Sequence, residues 1–401
     1  MIKPGDILEV VIKGSTAFEG KGVARIDNFV IFVERTLPQE TAKIKINKVK
    51  KSFAEAEIVE ILKPSPHRIP APCPYYDQCS GCQYQHIDYL FQIELKKINL
   101  LDILSKIGHI TRTKADIETI SSPKQLFYRN RMKYQIKKPQ IGFFAKDRQK
   151  IIPLEKCYLA EEKINEVYKN ILNEQKENIF KYDHLHIRCG SEQKTLHFFD
   201  KRKHAVNPEK NNYLLLKVND KEFNIPYASF FQTNTFILPQ MIEKIAEYLS
   251  PNTKEILIDA FCGVGFFSIL LAKHYLTLFG IDLDEQAIEA ARILSQKNNC
   301  LNTQFLANGA NRELRKILKS YKTTPASLIL DPPRNGVDKH TINTIMQNKI
   351  KKIVYISCYP STLARDLNLL SSKYKLKKLA LVDMFPQTSH MEVITLLELK
   401  K

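Results

Sequence analysis

The sequence has 401 residues and carries 61 basic against 43 acidic side chains, a formal net charge of +18. This length predicts two or three domains, and 44% hydrophobic with 26% charged residues excludes disorder as the main state. There is no run of about 18 uncharged apolar residues and no secretory signal at the N-terminus, so we expect no membrane span and a cytoplasmic location. The positive charge favours a polyanionic partner, most simply nucleic acid.

Residues 1–62 contain five short segments that are rich in Val, Ile or Phe and bounded by Gly, Asn or Pro. These segments, 6–13, 22–26, 28–34, 41–49 and 53–61, are typical of strands. Five short strands without a helical pattern predict a small β-barrel of a kind that often binds RNA. Four prolines between residues 63 and 72 then exclude a helix or a central strand, so they predict a linker.

The middle of the chain carries most of the excess positive charge. Residues 63–231 hold 29 basic and 19 acidic side chains, and the segment 124–150 has nine basic residues against Asp147 alone. Five aromatic residues lie among these cations, a composition that suits single-stranded RNA because cations bind phosphates and flat rings stack on bases. A solvated basic hairpin is the alternative interpretation.

Helical periodicity and strand alternation divide the remainder of the chain. Residues 85–108 predict a helix whose apolar face is formed by Leu90, Phe91, Leu95, Ile98 and Leu101. A second helix is predicted near 161–175, within a region of mixed strands. From about residue 254 onward strands and helices alternate, which predicts a parallel sheet of α/β type.

Four cysteines form a candidate metal centre. Cys73, Cys79 and Cys82 lie in a loop broken by Pro and Gly, and Cys157 is the candidate fourth ligand. Thiols that converge from an irregular loop bind either one zinc ion or an iron–sulfur cluster. Spacing alone does not separate these two possibilities, and three unreactive buried cysteines are the alternative.

A glycine-rich turn follows the buried strand predicted at 255–260. The turn runs from Phe261 to Gly265 and precedes a helix predicted at 266–274, so free backbone N–H groups lie at the carboxyl end of a strand. Ser268 replaces the third glycine of a dinucleotide site, which disfavours NAD. Asp282 ends the next strand, where a carboxylate accepts hydrogen bonds from ribose hydroxyls. The pattern predicts a cofactor that contains a nucleoside.

Three further residues end or begin predicted strands at the same sheet edge. Asp331 follows an apolar strand and opens Asp-Pro-Pro, a motif that recurs in methyltransferases acting on planar nitrogen or carbon atoms. Cys358 ends the strand that begins at 352, and a thiol at the ligand edge is better explained as a nucleophile than as a core residue. Glu392 begins the last strand; alone, such a carboxylate is usually a solvated strand end.

A thiol and a carboxylate together suit methylation at uracil C5, which is itself a poor nucleophile. Addition of the Cys358 thiolate to C6 makes C5 electron-rich enough to take a methyl group from a sulfonium, and a base then removes the C5 proton. We expect basic surroundings and a cationic cofactor to lower the pKa of Cys358. We expect a half-buried pocket to bring the pKa of Glu392 nearer to neutrality, and the target base must leave its stack.

Together these motifs resemble the RNA uracil-C5 methyltransferases, most closely the branch with an iron–sulfur cluster that methylates 23S ribosomal RNA. The resemblance extends over nearly the whole chain and rests on Glu19–Ala24, the four cysteines, Tyr128–Arg131, Phe231–Asn234, Asp259–Gly265, Asp331–Arg334, Ser357-Cys358 with Thr362–Asp366, and His390–Glu392. It implies a TRAM-like barrel at 1–62, a central α+β iron–sulfur and RNA-binding domain at 63–230, and a Rossmann-like catalytic domain at 231–401. It also implies that the helix at 85–108 packs on the catalytic domain.

The resemblance also implies residue roles. Cys358 would be the nucleophile and Glu392 the base. Gln232, Phe261, Asp282 and Asp331 would line the S-adenosylmethionine site, and Phe230 would stack on the flipped uracil. Cys73, Cys79, Cys82 and Cys157 would hold a [4Fe–4S] cluster. The substrate would be 23S ribosomal RNA, and we expect a monomer.

The chain departs from the family pattern at three positions: Tyr359 and Phe266 stand where the family often has Asn, and Asp282 stands where it often has Glu. The Asn308 region is a candidate contact for adenine. A 5-methylcytidine enzyme, an amino-group methyltransferase and an RNA-binding iron–sulfur protein without catalysis are the alternative functions. A transfer-RNA substrate is disfavoured because the tRNA branch of the family lacks the barrel and the cluster cysteines.

Overall fold

The computed structural model describes residues 2–146, 148–174, 177–201, 213–219, 221–227 and 229–400. Asp147, the single acid of the basic segment, and residue 175, the predicted end of the second helix, lie outside the described residues. Within these ranges the strands form sheets of six, five, two and eight strands.

The N-terminal unit is the six-stranded sheet. Its strands are β1 (Ile7–Val11), β2 (Gly14–Ser15), β3 (Gly22–Ile26), β4 (Phe29–Val33), β5 (Thr41–Val49) and β6 (Phe53–Lys63), in the order β1-β5-β6-β4-β3-β2. The five predicted strands are present, and β2 is a short addition. In β5, Ala42, Ile44 and Ile46 are buried while the lysines between them are exposed. Lys43, Lys45 and Lys48 lie opposite Glu60, Glu57 and Glu55 of β6, so cross-strand carboxylates offset this basic run.

Helix α1 (Tyr89–Lys106) follows the cysteine loop and is capped by Asp88, whose Oδ1 accepts a hydrogen bond from Phe91 N–H at 3.0 Å. The predicted apolar face is wrong in part, because Leu90 and Ile98 are 75% and 42% exposed. The buried face contains the polar residues Gln92, Lys96 and Asn99. This helix contacts helix α8 (Pro360–Leu370), so it packs against an element of the predicted catalytic domain.

The central sheet is antiparallel. Its strands are β8 (Arg131–Lys137), β9 (Gln140–Phe144), β10 (Ile151–Pro153), β11 (His184–Cys189) and β12 (Thr195–Asp200), in the order β10-β9-β8-β11-β12. Helix α2 (Glu162–Asn173) contacts β11 and β12. Tyr168 of α2 stacks on Tyr134 of β8 with ring centroids 4.2 Å apart, so aromatic packing joins the helix to the sheet.

The remaining elements lead into the C-terminal sheet. A hairpin of β13 (Tyr213–Val218) and β14 (Lys221–Pro226) packs its buried side chains into the same core as helix α3 (Leu238–Leu249). Short 3-10 helices cover Lys114–Asp116, Glu177–Lys181, Ser191–Gln193, Thr235–Ile237 and Ala272–His274.

The C-terminal sheet has eight strands and alternates with helices, as the sequence predicts. The elements are β15 (Ile256–Ala260), α4 (Phe266–Leu271), β16 (Thr277–Asp282), α5 (Glu285–Lys297), β17 (Thr303–Ala307), α6 (Ala310–Ser320), β18 (Ala326–Leu330), α7 (Lys339–Gln347), β19 (Lys352–Ser357), α8, β20 (Tyr374–Val382) and β21 (Glu392–Leu399). The sheet is completed by β7 (Ile117–Ile120), which pairs in parallel with β20. A segment from before residue 230 is therefore part of this sheet.

The strand order of the sheet is β17-β16-β15-β18-β19-β21-β20-β7, and only β21 runs antiparallel to its neighbours. The order reverses between β15 and β18, so a crevice opens at the carboxyl ends of these two strands. Apolar residues from both faces of the sheet form two large buried clusters. Within the described residues, no helix combines the length and apolar composition needed to cross a membrane.

Candidate active site

The glycine-rich turn after β15 depends on left-handed backbone conformations. Phe261, Gly263 and Gly265 have φ angles of 69°, 54° and 74°. A Cβ atom on Gly265 would lie 2.8 Å from the Phe305 ring, so this position requires glycine. The N–H of Gly263 donates to Oδ2 of Asp282 at 2.8 Å. The turn is thereby tied to the end of β16, and the predicted Phe261, which directly follows β15, and Asp282 lie at the carboxyl ends of neighbouring strands.

Three carboxylates converge at this sheet edge. Burial and then repulsion from Asp259 and Asp282 raise the pKa of Asp331 to about 7. Burial also raises the pKa of Asp259 to about 7, although Ser268 donates a hydrogen bond to its Oδ2 at 2.6 Å. The other oxygen of Asp259 is buried without a partner among the described residues. The edge is therefore an environment that favours a cationic ligand.

The other predicted cofactor residues lie beside the turn. Gln232 is buried, and its main-chain carbonyl oxygen accepts a hydrogen bond from the Asn130 side-chain amide at 3.1 Å. The preceding Phe231 packs edge-to-face on Phe266, at the start of α4. The N–H of Asn308 donates to the carbonyl oxygen of Asp282 at 2.8 Å, which places the candidate adenine contact next to the candidate ribose contact.

Cys358 and Glu392 face each other across two antiparallel strands. Ser357, the last residue of β19, pairs with Val393 of β21, and continuing this register by one residue places Cys358 opposite Glu392. Glu392 is 3% exposed, so it is not a solvated strand end. Burial and then repulsion from Asp331 raise its pKa well above the usual range. The thiol and the carboxyl group thus share one desolvated site at the ligand edge of the sheet.

The four predicted metal-ligand cysteines line a single cavity of about 150 Å³, together with Arg129. Desolvation raises the pKa of Cys157 to about 11 and also raises the pKa of Cys73, Cys79 and Cys82. Cys157 and Cys79 both raise the pKa of Cys82, and Cys79 also raises the pKa of Cys157, so these thiols lie close to one another. Cys82 and Cys157, which have 74 residues between them in the sequence, are thereby brought together.

The separation of the thiols bears on what they can hold. Among the described residues, His184, His186 and Asp200 are the single group of three or more potential ligands whose atoms all lie within 4.8 Å of one another. No three of the four thiol sulfurs meet this limit. Tetrahedral zinc with bonds of about 2.3 Å needs sulfur atoms about 3.8 Å apart, so the thiols are spaced more widely than one ion requires.

The comparisons with known proteins agree with this geometry. The family model "tRNA (Uracil-5-)-methyltransferase" matches residues 199–400, and the TRAM domain model matches residues 3–59. The chain belongs to the tRNA (uracil-5-)-methyltransferase family. The predicted family, the α/β methyltransferase fold, the TRAM domain and the enzyme class are thereby confirmed.

Relatives of this methyltransferase extend over its full length. An uncharacterized RNA methyltransferase of Aquifex aeolicus is 32% identical and covers 96% of each chain. One of Clostridium acetobutylicum is 30% identical and covers 94% of each chain. The crystal structure of Pyrococcus abyssi tRNA (uracil-54, C5)-methyltransferase in complex with S-adenosyl-L-homocysteine has a TM-score of 0.73 and 26% identity, and it covers 97% of this chain and 100% of its own.

The prediction that basic surroundings lower the pKa of the thiol in this methyltransferase is wrong for the protein alone. Burial, followed by the charges of Glu392 and Asp331, raises the pKa of Cys358 to about 11. Arg334 acts in the opposite direction but does not outweigh them. The net positive charge of the chain therefore does not set the pKa of this thiol, because burial and the two nearby carboxylates outweigh Arg334.

Sequence reasoning named two further side chains of this site as parts of motifs but assigned them no role. Arg334 is exposed and acts on the pKa of Cys358, Glu392 and His390. Burial and then Arg334 and Arg129 lower the pKa of His390 to about 4, so its imidazole is neutral at pH 7. The signals were available, because Arg334 directly follows Asp-Pro-Pro and His390 lies two residues before Glu392.

Proposed function

We propose that this methyltransferase transfers a methyl group from S-adenosylmethionine to C5 of a uridine in RNA, through a transient bond between Cys358 and C6 of the ring. The observation that carries the proposal is the meeting of Cys358 and Glu392 across β19 and β21, beside the acidic strand ends. A nucleophile and a base at one edge are what this chemistry needs.

Gln232, Phe261, Asp282 and Asp331 would hold the cofactor. The fit rests on the acidic edge, because a sulfonium or ammonium group relieves the repulsion that raises the pKa of Asp331. It rests also on the unpaired Asp259 oxygen and on the backbone N–H groups of the glycine turn. S-adenosylmethionine, when bound, supplies the methyl group as an electrophile.

The side chains would then act in order. The Cys358 thiolate adds to C6, and the electron pair of the C5–C6 double bond makes C5 nucleophilic. After C5 has taken the methyl group, Glu392 removes the C5 proton, and the C6–sulfur bond breaks to restore the double bond and free the thiolate. Because burial raises the pKa of Glu392, its ionised form is a stronger base than an exposed carboxylate.

The target uracil must leave its stack to reach this edge. Phe230 is 67% exposed, and we propose that its ring stacks on the flipped base, as the resemblance implies. The three predicted domains, 1–62, 63–230 and 231–401, would act as one monomer in the cytoplasm, with the N-terminal unit and the central sheet contributing RNA contacts.

We propose a [4Fe–4S] cluster on Cys73, Cys79, Cys82 and Cys157. The wide spacing of the thiols and their common cavity support a cluster rather than one zinc ion. The cluster would support the fold and RNA binding, not methyl transfer. Protein purified without oxygen should contain about four iron atoms and four acid-labile sulfides per chain. One equivalent of zinc without sulfide would contradict the cluster.

The proposed substrate is 23S ribosomal RNA, which follows from the resemblance. Transfer RNA is the second candidate, because the Pyrococcus abyssi structure carries a tRNA enzyme's name and covers 97% of this chain. The presence of the N-terminal unit therefore does not argue against tRNA, contrary to the sequence-based expectation.

Nucleoside analysis decides among these functions. Ribosomal and transfer RNA from cells without the gene would be incubated with purified protein and S-adenosylmethionine carrying a labelled methyl group. We expect labelled 5-methyluridine in 23S ribosomal RNA. Label in tRNA would select the second substrate, and 5-methylcytidine or an N-methylated base would contradict the proposed reaction. Survival of activity in Cys358→Ala would favour an amino-group methyltransferase.

A further inference from the structure

The loop that carries the nucleophile is held by its neighbours on both sides of Cys358. The N–H of Tyr359 donates to Ser357 Oγ at 3.1 Å, and the Ser357 hydroxyl lies 3.2 Å from the Tyr359 carbonyl oxygen. Thr362 Oγ1 donates to the same carbonyl at 3.0 Å. The backbone of Tyr359 is therefore fixed relative to Cys358. A contact that holds the Tyr359 ring in place thus also restrains the position of Cys358.

The Tyr359 ring contacts the N-terminal unit. It stacks on Phe18 with ring centroids 4.6 Å apart and an interplanar angle of 20°. Phe18 lies in the turn between β2 and β3. A stacked aromatic pair of this kind contributes more than the apolar area it buries. Tyr359 occupies the position where an asparagine would offer only a local hydrogen bond.

The same turn also contacts the segment that carries the base. Ser389 Oγ donates to the carbonyl oxygen of Phe18 at 2.6 Å, and Ser389 is buried three residues before Glu392. Gly20 lets the turn lie close against Tyr84, since its φ angle is 62° and a Cβ there would lie 2.7 Å from the Tyr84 ring. Phe18 thus contacts the nucleophile loop through its ring and the base segment through its carbonyl group.

We infer that Phe18 and Tyr359 are positioning residues for the methyl transfer: their stack holds Cys358 in register with Glu392 and makes the N-terminal unit a part of the active site. The inference rests on the proposed roles of Cys358 and Glu392. Neither ring needs to contact the reacting atoms. Without the stack, the loop keeps its hydrogen bonds but loses its outer support, and small displacements of a reacting group lower rates steeply.

Kinetics with the RNA that the wild-type protein methylates tests the inference. Phe18→Ala and Tyr359→Leu should each lower kcat by roughly 10- to 100-fold and change KM for RNA by less than about threefold. Phe18→Tyr keeps the stack and should restore kcat. A matched control is Phe32→Leu, which disrupts a ring pair with Phe53 inside the N-terminal unit and should leave kcat unchanged. A raised KM with normal kcat would overturn the inference.

A second measurement needs no RNA and therefore separates this inference from the proposed function. Iodoacetamide labelling of Cys358, followed by peptide mass spectrometry, reports how firmly the loop is held. Phe18→Ala and Tyr359→Leu should raise the labelling rate by about threefold or more, whereas Phe32→Leu should not. Unchanged labelling in both variants with native thermal unfolding curves would overturn the inference. If the wild-type protein methylates no uridine, the proposed function fails while this result still decides the role of the stack.

Discussion

At the scale of single residues, Cys358, the proposed nucleophile of this methyltransferase, lies among charges that shift its pKa in opposite directions. Glu392 and Asp331 raise the pKa of Cys358, and Arg334 lowers it, while burial is the largest cause of its value of about 11. At pH 7 about one thiol in 10⁴ is ionised. A bound sulfonium would therefore contribute to thiolate formation as well as supplying the methyl group.

These opposing charges predict that two substitutions shift the pKa of Cys358 in opposite directions. Removing a negative charge in Asp331→Asn should lower the pKa of Cys358, so its alkylation by iodoacetamide should reach a given rate at lower pH. Removing a positive charge in Arg334→Gln should move the same curve to higher pH. Labelling followed by mass spectrometry between pH 7 and 10.5 measures both. Cys300 in the same chain is the internal control, since its pKa depends on burial and Lys221, and a shift in one direction for both variants would contradict the electrostatic account.

The residue types of the site could be predicted from the sequence, but their electrostatics could not. Cys358 and Glu392 were predicted as site residues from their positions at strand ends and from the family resemblance. The pairing register of β19 with β21 places them opposite each other. The direction of the Cys358 pKa shift could not be inferred from a net charge of +18, because it depends on burial and on two carboxylates, Glu392 and Asp331, that meet the thiol only through folding. Phe18 was also missed, since its partner Tyr359 lies more than 300 positions away.

At the scale of secondary-structure elements, α1 shows why the spacing of apolar residues predicts a helix but not all of its buried face. Lys96 and Asp383 form a fully buried ion pair between α1 and the segment after β20, and Lys96 also donates to the Phe385 carbonyl oxygen at 3.1 Å. Gln92 donates to the Gln387 side chain at 3.0 Å. An apolar pattern cannot reveal such a polar contact face, so the helix and buried Leu95 were predicted, whereas the buried polar residues were not.

The buried pair predicts a large loss of stability when one partner is removed. Lys96→Met should lower the free energy of unfolding by about 3–5 kcal/mol, because it leaves the Asp383 carboxylate buried without its cation. Lys106→Met on the same helix is the control: Lys106 pairs with Asp102 in solvent, and the expected change is below about 1 kcal/mol. Denaturant unfolding followed by circular dichroism measures both, and equal losses in the two variants would contradict this assignment.

At the scale of the whole molecule, the lysines of different sheets differ in whether carboxylates lie opposite them. The lysines of β5 lie opposite glutamates of β6, whereas Lys133, Lys137 and Lys138 of the central sheet region are exposed. Composition predicted a basic middle region correctly, and the family pattern predicted the catalytic fold. The sequence did not reveal that β7 belongs to the C-terminal sheet, because strand pairing across more than 250 residues leaves no local signal.

This distribution predicts which cations bind RNA. Affinity should fall as salt rises, and replacing Lys133, Lys137 and Lys138 with Gln should reduce the slope of log K against log salt by roughly 0.7 for each phosphate that the protein no longer neutralises. The same replacements at Lys43 and Lys45, which face carboxylates, should leave the slope unchanged. Filter binding of the substrate RNA between about 50 and 300 mM salt, a range that includes physiological ionic strength, measures it. Equal effects of the two sets would contradict the assignment of the RNA face.

The proposed reaction requires Cys358 to bond to the pyrimidine before the methyl group is transferred. RNA in which 5-fluorouridine replaces uridine tests it, because Glu392 cannot remove fluorine from C5 and the covalent product therefore persists. After digestion with nuclease and trypsin, mass spectrometry should find one methylated nucleotide on the peptide that contains Cys358, and none in Cys358→Ala. A protein that methylates C5 of normal uridine yet forms no adduct, or forms it on another cysteine, would contradict the account.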